Sequence, residues 1–135
     1  MKKIDKILLV DDDEVTNFLN QLVIERLGGA EHLEIALNGE EALNYLKEYY
    51  QHADLASLQK ILIVLDLNMP VMDGFDFLEE LEKQSHWNKA NRFIIILTSS
   101  ENPADIERTK NYSIYGYEKK PLTEEKLKKW IGSIV

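Results

Sequence analysis

Short apolar runs alternate along the chain with segments in which apolar residues recur at helical spacing. Three runs are continuous and rich in β-branched residues, as expected of parallel strands that are covered on both faces. These runs are residues 7–10, 61–65 and 93–97, and two weaker strand candidates are residues 33–36 and 115–118. The pattern therefore predicts five strands.

A polar residue that can cap a helix stands before each of five helical segments. The first segment follows Asp13 and ends at Gly28 and Gly29, residues that suit a helix C-terminus. Its predicted apolar stripe consists of Val15, Phe18, Leu19, Leu22, Val23 and Leu27. Further helices are predicted from Asn38 to about residue 50, from Asp73 to about residue 84, from Asn102 to about residue 112, and from Thr123.

Alternation of strands and helices predicts an α/β fold with a doubly wound parallel sheet, because a parallel crossover needs a helix. The 135 residues fit one domain, and no internal repeat or linker marks a second one. In such sheets, ligands bind beyond the carboxyl ends of the strands. These ends are therefore the place to look for a functional site.

The amino-acid composition disfavours or excludes several classes of function. Sixteen Lys and Arg against 24 Asp and Glu give a net charge of −8, which disfavours direct binding to nucleic acid. The absence of cysteine excludes disulfides and Cys-ligated zinc. No apolar run approaches the roughly 20 residues that span a bilayer, and no signal peptide is recognisable. A cytoplasmic protein that does not contact the membrane is expected.

Carboxylates follow two of the predicted strands. Asp11, Asp12 and Asp13 follow the first strand, and Asp66 follows the third. Because like charges repel, a divalent cation with oxygen ligands is the simplest way to keep such a cluster ionised. Magnesium is the predicted cofactor, and phosphoryl chemistry is the expected reaction. Taken alone, an aspartate triplet is more typical of a solvated loop that caps a helix.

Two further strand ends carry groups that can contact a phosphoryl group. Thr98 follows the fourth strand, and Lys120 precedes Pro121 near the fifth. Taken alone, they are typical of a turn hydroxyl and a solvated lysine. Convergence of four strand ends on one crevice favours a binding site instead. Lys119 is the rival of Lys120, but the proline favours an extended backbone that directs Lys120 into the crevice.

In these motifs the sequence resembles the receiver domain of two-component response regulators over almost its whole length. The matching pieces are residues 7–13 (Ile-Leu-Leu-Val-Asp-Asp-Asp), residues 65–74 (Leu-Asp-Leu-Asn-Met-Pro-Val-Met-Asp-Gly), residues 97–99 (Leu-Thr-Ser) and residues 120–121 (Lys-Pro). The resemblance implies a flavodoxin-like sheet with strand order 2-1-3-4-5. The same resemblance implies roles for individual residues.

By resemblance, Asp66 is the phosphoacceptor. Magnesium is expected to bind the carboxylates of Asp12 and Asp66, Asp11 through water, and the backbone carbonyl of Asn68. Thr98 and Lys120 are expected to contact the phosphoryl oxygens. Tyr117 is expected to act with Thr98 as an aromatic switch, and a partly buried strand aromatic is the alternative explanation of this tyrosine.

The resemblance also implies partners. A sensor histidine kinase or phosphotransfer histidine would donate the phosphoryl group, and a target protein would bind the face formed by helix four, strand five and helix five, where receivers also dimerise. The chain would catalyse only its own phosphorylation and dephosphorylation. No output segment follows the fifth helix, so a stand-alone receiver is expected. Ala104, Ile106 and Tyr112 are the burial candidates of helix four, which predicts weak packing.

Two departures from the family pattern leave the predicted site intact. Residues 51–60 lengthen the connection to the third strand, and Leu67 stands where some relatives carry an aromatic residue. The three histidines, His32, His52 and His86, are predicted to lie on the surface.

Two other classes compete with the receiver. A haloacid-dehalogenase-like phosphatase would need an aspartate where Asn68 stands, and 135 residues leave little room for its remaining motifs. A pseudo-receiver, a binding module of the same fold that takes no phosphate, is disfavoured by the complete set of site residues.

Overall fold

The computed structural model describes residues 3–52, 54 and 58–135. Within these residues, five strands alternate with five helices: β1 (Ile4–Val10), α1 (Glu14–Leu27), β2 (Ala30–Ala36), α2 (Gly39–Gln51), β3 (Ile61–Leu65), α3 (Gly74–Glu82), β4 (Arg92–Thr98), α4 (Pro103–Thr109), β5 (Gly116–Lys119) and α5 (Glu124–Ile134). All five predicted strands are confirmed. β3 has the predicted bounds. β1 and β2 begin before their apolar runs, because each strand also includes the more polar residues that precede its run.

The five strands form one parallel sheet in the order β2-β1-β3-β4-β5, which is the order that the resemblance implied. The register aligns Val10 with Leu65 and Leu65 with Ile96, and it aligns Thr98 with Lys119. The carboxyl ends of β1, β3, β4 and β5 therefore meet at the same edge of the sheet.

Each helix begins at the residue predicted to cap it. The side chain at each cap accepts a hydrogen bond from a backbone N–H of the first turn: Asp13 from Val15, Asn38 from Glu41, Asp73 from Asp76, Asn102 from Ala104 and Thr123 from Lys126. At the end of α1, Gly28 adopts the left-handed conformation with φ 61°. A side chain would be strained there, so glycine suits this position.

The sheet separates two apolar cores. One core packs α2 and α3 against β-strand residues such as Leu8, Ile63 and Ile96. The other packs α1 and α5 against the opposite face, through residues such as Leu9 and Leu62. Both faces are covered, which explains why the central strands are continuously apolar rather than alternating.

The predicted apolar stripe of α1 is wrong over the first half of the helix. Val23 and Leu27 pack against the core as expected. Val15, Phe18 and Leu19 do not, since they are 65%, 59% and 54% exposed. Apolar spacing identified the helix correctly but not the face that it turns to the sheet.

The residues that α1 buries are Asn17, Asn20 and Ile24. The side-chain amide of Asn17 donates a hydrogen bond of 2.8 Å to the backbone carbonyl of Asp11. This bond joins the polar side of the first turns to the end of β1, while the neighbouring apolar residues face outward.

Helix α4 is shorter than predicted and lies on the sheet with little burial. Thr109 is its buried residue, whereas Ala104 and Ile106 are exposed, contrary to the prediction. Tyr112 lies beyond the helix and packs against the core from there. The predicted weak packing of this helix is thus confirmed, although two of the three burial candidates were wrong.

Residues 53 and 55–57 of the longer connection at residues 51–60 lie outside the described residues, and the role of this connection stays a prediction. Lys60, at the end of this connection, is held from two sides: its backbone N–H donates to Asp5, and its ammonium donates to the carbonyl of Ile134 at the end of α5.

All three histidines are exposed, as predicted. In the described part of the chain, no helix has the length and apolar character to span a membrane.

Candidate functional site

Three carboxylates meet at the edge of the sheet where the strands end. Oxygen atoms of Asp11, Asp12 and Asp66 all lie within 4.8 Å of one another. Asp11 and Asp66 are buried, and Asp12 is exposed. The backbone N–H of Asp66 donates to the carbonyl of Val10 at 2.9 Å, so parallel pairing continues one residue past β3. The strand register therefore brings these carboxylates together.

Lys120 is the lysine that reaches the carboxylates. Its Nζ lies 2.7 Å from Oδ2 of Asp11 and 3.5 Å from Oδ2 of Asp66. Its backbone N–H donates to the carbonyl of Thr98, and the peptide bond to Pro121 is cis. The adjacent Lys119 faces solvent and pairs with Glu101. The structure thus places the predicted lysine, and not its rival, in the site.

Burial and like charge work against ionisation of Asp66. Desolvation raises the pKa of its carboxyl group, Lys120 lowers it and Asp11 raises it again, with a net upward shift. Burial acts to lower the pKa of Lys120, but its hydrogen bond to Asp11 and the charge of Asp66 outweigh this effect, so its pKa is raised. The ammonium is therefore firmly held in its charged form.

The donor set fits a hard divalent cation. Three carboxylates and one ammonium give this partly buried cluster a formal charge of −2. Carboxylate oxygens are the ligands that magnesium prefers, and the exposed position of Asp12 leaves room for water ligands. Asp11, Asp12 and Asp66 are the residues that can hold such an ion.

Asn68 lies in the loop after β3, with its side chain exposed. The backbone N–H groups of Asn68 and Leu67 act to lower the pKa of the Asp66 carboxyl group, but less strongly than burial raises it. Coordination by the backbone carbonyl of Asn68 stays a prediction. Gly74 permits the close approach of α3 to this loop, because a Cβ there would lie 2.6 Å from the carbonyl oxygen of Asp66 and 2.8 Å from Cα of Leu67.

Thr98 and Tyr117 are connected through Ser100, a residue that the sequence did not identify as part of the switch. The buried Thr98 accepts a hydrogen bond from the backbone N–H of Ser100 at 3.3 Å, and the Tyr117 hydroxyl donates to the Ser100 carbonyl at 3.2 Å. The Ser100 hydroxyl donates to Asp105 in the first turn of α4 at 2.6 Å. Ser100 thus links the end of β4 to α4 and β5.

Asn17 is a second residue that sequence reasoning missed. The signal was present, since Asn17, Asn20 and Ile24 recur at the spacing of one helical face. Two amides on that face made it less apolar than the stripe that was predicted. The hydrogen bond from Asn17 to Asp11 explains why the polar face lies inward.

Comparisons with known proteins agree with this geometry. Residues 7–132 match the family model described as the response regulator receiver domain. The chain is 30% identical over 129 residues to a probable chemotaxis protein CheY of Rhizobium etli, covering 96% of this chain and 91% of that protein. A two-component response regulator structure from Cytophaga hutchinsonii superposes with a TM-score of 0.86 at 28% identity, covering 98% of both chains.

Another relative is longer. The probable C4-dicarboxylate response regulator DctR of Halalkalibacterium halodurans is 29% identical over 123 residues, which cover 91% of this chain but 48% of that protein. The chain thus spans about half the length of this relative.

The electrostatics predict that Asp66→Asn stabilises the protein when divalent cations are removed with a chelator. Burial and Asp11 disfavour the charged carboxylate in the folded state, and its pKa lies above the ordinary value of 3.8. The gain in the free energy of unfolding should be full at pH values above the raised pKa of Asp66. It should vanish as the pH falls to about the ordinary pKa of an aspartate. Thermal unfolding of both proteins from pH 4 to pH 8 measures this difference. An equal or lower midpoint for Asp66→Asn at pH 8 would contradict it.

Proposed function

The chain belongs to the response regulator receiver domain family, and we propose that it accepts a phosphoryl group from a phosphohistidine onto Asp66. Receiver domains interact with histidine kinases and with downstream effectors. One observation carries the proposal: Lys120 lies between Asp11 and Asp66 at the strand ends, in a cluster that retains excess negative charge. This arrangement supplies a nucleophile and a cation for the transferred group.

Receiver domains are generally magnesium-dependent, and the acidic cluster supports the same requirement here. We assign Asp12 and Asp66 as carboxylate ligands, Asp11 as a ligand through water, and Asn68 as a backbone carbonyl ligand. The bound ion would neutralise negative charge on the phosphoryl oxygens.

The residues of the chain supply the rest of the reaction. A carboxylate oxygen of Asp66 forms the bond to phosphorus as the N–P bond of the phosphohistidine breaks, and the electron pair returns to the imidazole nitrogen. The Lys120 ammonium offsets charge on the phosphoryl oxygens, and the Thr98 hydroxyl donates to one of them. Water later hydrolyses the acyl phosphate. The protein thereby catalyses only its own phosphorylation and dephosphorylation, and we place this reaction in the cytoplasm, where ATP-derived phosphohistidine forms.

The contacts of Ser100 support a route from Asp66 to a binding surface. A Thr98 hydroxyl that turns toward a phosphoryl oxygen gives up its hydrogen bond from Ser100. The Ser100 segment then shifts together with Tyr117 and Asp105, to which it is bonded. Helix α4 follows easily because it buries so little. We propose the face of α4, β5 and α5 as the surface for a target protein or a second phosphorylated copy.

The exposed apolar side of α1 supports a docking surface for the phosphohistidine donor. A protein that brings a histidine to Asp66 must contact the rim of the site. Leu19 lines one cleft together with Lys120 and Pro121, and Phe18 lies on the same exposed side of α1. We propose that the donor protein buries Phe18 and Leu19 when it transfers its phosphoryl group.

Phosphorylation by a small donor tests the central assignment. With magnesium and acetyl phosphate, the protein should gain the mass of one phosphoryl group, and Asp66→Ala should gain none. Asp12→Ala should lose the magnesium dependence together with the mass gain, because the cation loses a direct ligand. Intact-mass spectrometry measures both. An equal mass gain in Asp66→Ala would refute the phosphoacceptor, and a wild-type chain that gains no mass would support a pseudo-receiver.

The two adjacent lysines give a matched pair. Lys120→Ala should slow phosphorylation by acetyl phosphate by about 100-fold or more, since a charged group aimed at the phosphoryl oxygens is lost. Lys119→Ala should stay within about threefold of wild type, because its ammonium contacts Glu101 at the surface. Time courses of phosphorylation compare the two variants, and the reverse ranking would overturn the assignment.

Phe18→Ala separates donor docking from chemistry. Transfer from a histidine kinase that phosphorylates the wild-type chain should slow by about fivefold or more, as expected for loss of a buried interface aromatic. Phosphorylation by acetyl phosphate should be unchanged. Ile106→Ala, an exposed apolar residue on α4, is the control and should leave both rates unchanged. Equal kinase rates for Phe18→Ala and wild type would exclude this docking surface.

A further inference from the structure

The first half of helix α1 buries polar side chains and exposes apolar ones. Asn17 and Asn20 are 3% and 6% exposed, whereas Phe18 between them is 59% exposed. Burying an amide is unfavourable unless it is well hydrogen-bonded, and exposing a phenyl ring forgoes the gain from its burial. Violations of this kind concentrate at functional sites. The buried amides therefore need an explanation in the site that they face.

Asn17 is bonded to the segment that carries the acidic cluster. Its Nδ2 donates to the backbone carbonyl of Asp11 at 2.8 Å. The Asp11 backbone N–H is already bonded to Ala36 in β2, and its carboxylate accepts from the backbone N–H of Asp13 at 2.9 Å. The carbonyl of Asp11 lies just past β1, where the ladder of strand hydrogen bonds ends. Asn17 supplies the donor that the ladder no longer provides.

The side-chain carbonyl oxygen of Asn17, Oδ1, is buried and is unpaired among the described residues. Asn17 lines a small space together with Asn20, Asp11 and Asp66. An unsatisfied buried acceptor is unfavourable. Stability alone therefore does not account for asparagine at this position.

We propose that Asn17 is a positioning residue for the cation site, an inference that rests on the proposed function. Its hydrogen bond fixes the peptide that joins Asp11 to Asp12. Rotation of that peptide moves the Asp12 carboxylate relative to Asp66, so the bond sets the spacing of the oxygens that receive the ion. Loss of such an indirect contact typically lowers metal affinity by 10- to 100-fold.

Asn20 offers a matched control for this role. It lies one turn further along α1, is buried to a similar extent and lines the same space, but among the described residues the hydrogen bond to the backbone of Asp11 comes from Asn17 and not from Asn20. Replacing either asparagine by leucine removes a buried amide and changes the packing in a similar way. Only the change at position 17 removes the hydrogen bond to Asp11.

The test is calorimetric titration of the chelator-treated protein with magnesium chloride, paired with thermal unfolding without magnesium. Asn17→Leu and the smaller Asn17→Ala should weaken magnesium affinity by about 10- to 100-fold. Asn20→Leu should stay within about threefold of wild type. The thermal midpoints should not follow this ranking, because the substitutions at position 17 remove an unsatisfied acceptor but also leave the Asp11 carbonyl without its donor, and these two effects on stability oppose each other. If Asn17→Leu does not fold because leucine is bulkier, the affinity of Asn17→Ala alone provides the test.

Three outcomes would overturn the inference. Wild-type affinity in a folded Asn17 variant would show that the hydrogen bond does not set the ligand spacing. Equal weakening by Asn20→Leu would show that general packing, and not this bond, controls the site. A wild-type chain that binds no magnesium would contradict the proposed function itself, and it is distinguished from the other two outcomes by the wild-type titration alone.

Discussion

The ion pairs of Lys120 with Asp11 and Asp66 are the interaction on which the site depends. Two unit charges about 4 Å apart interact by roughly 4 kcal/mol at the effective dielectric of a protein surface, so one ammonium offsets about one carboxylate. The cluster holds three carboxylates. The uncompensated charge makes the metal-free site unfavourable and favours a divalent cation. The rest of the fold keeps this unfavourable arrangement in place.

The sequence was sufficient to predict the architecture and the convergence of charged residues. Continuous apolar runs identified the strands, and every predicted cap residue begins a helix, because both signals depend on local chemistry. The convergence of Asp66 and Lys120 followed from parallel strands ending at one edge. These predictions needed no knowledge of how individual side chains pack.

The failures share one physical cause. Apolar spacing predicts that a helix has an apolar side, but contacts with distant parts of the chain decide which side turns inward. In α1, Asn17 is buried and bonded to Asp11, whereas Phe18 stays exposed. In α4, the hydrogen bond from Ser100 to Asp105 joins the end of β4 to a helix whose apolar residue Ile106 stays exposed. Tertiary hydrogen bonds of this kind leave little trace in sequence periodicity.

Loading of the site should break the hydrogen bond between Ser100 and Thr98, and a crystal structure with magnesium and beryllofluoride tests this most directly. The beryllium should bond to a carboxylate oxygen of Asp66, with Lys120 and Thr98 in contact with fluorine atoms, and the hydrogen bond from Ser100 to Thr98 should be lost. A beryllofluoride group on another residue would contradict the account. So would a loaded Asp66 with the Thr98 hydroxyl still bonded to Ser100.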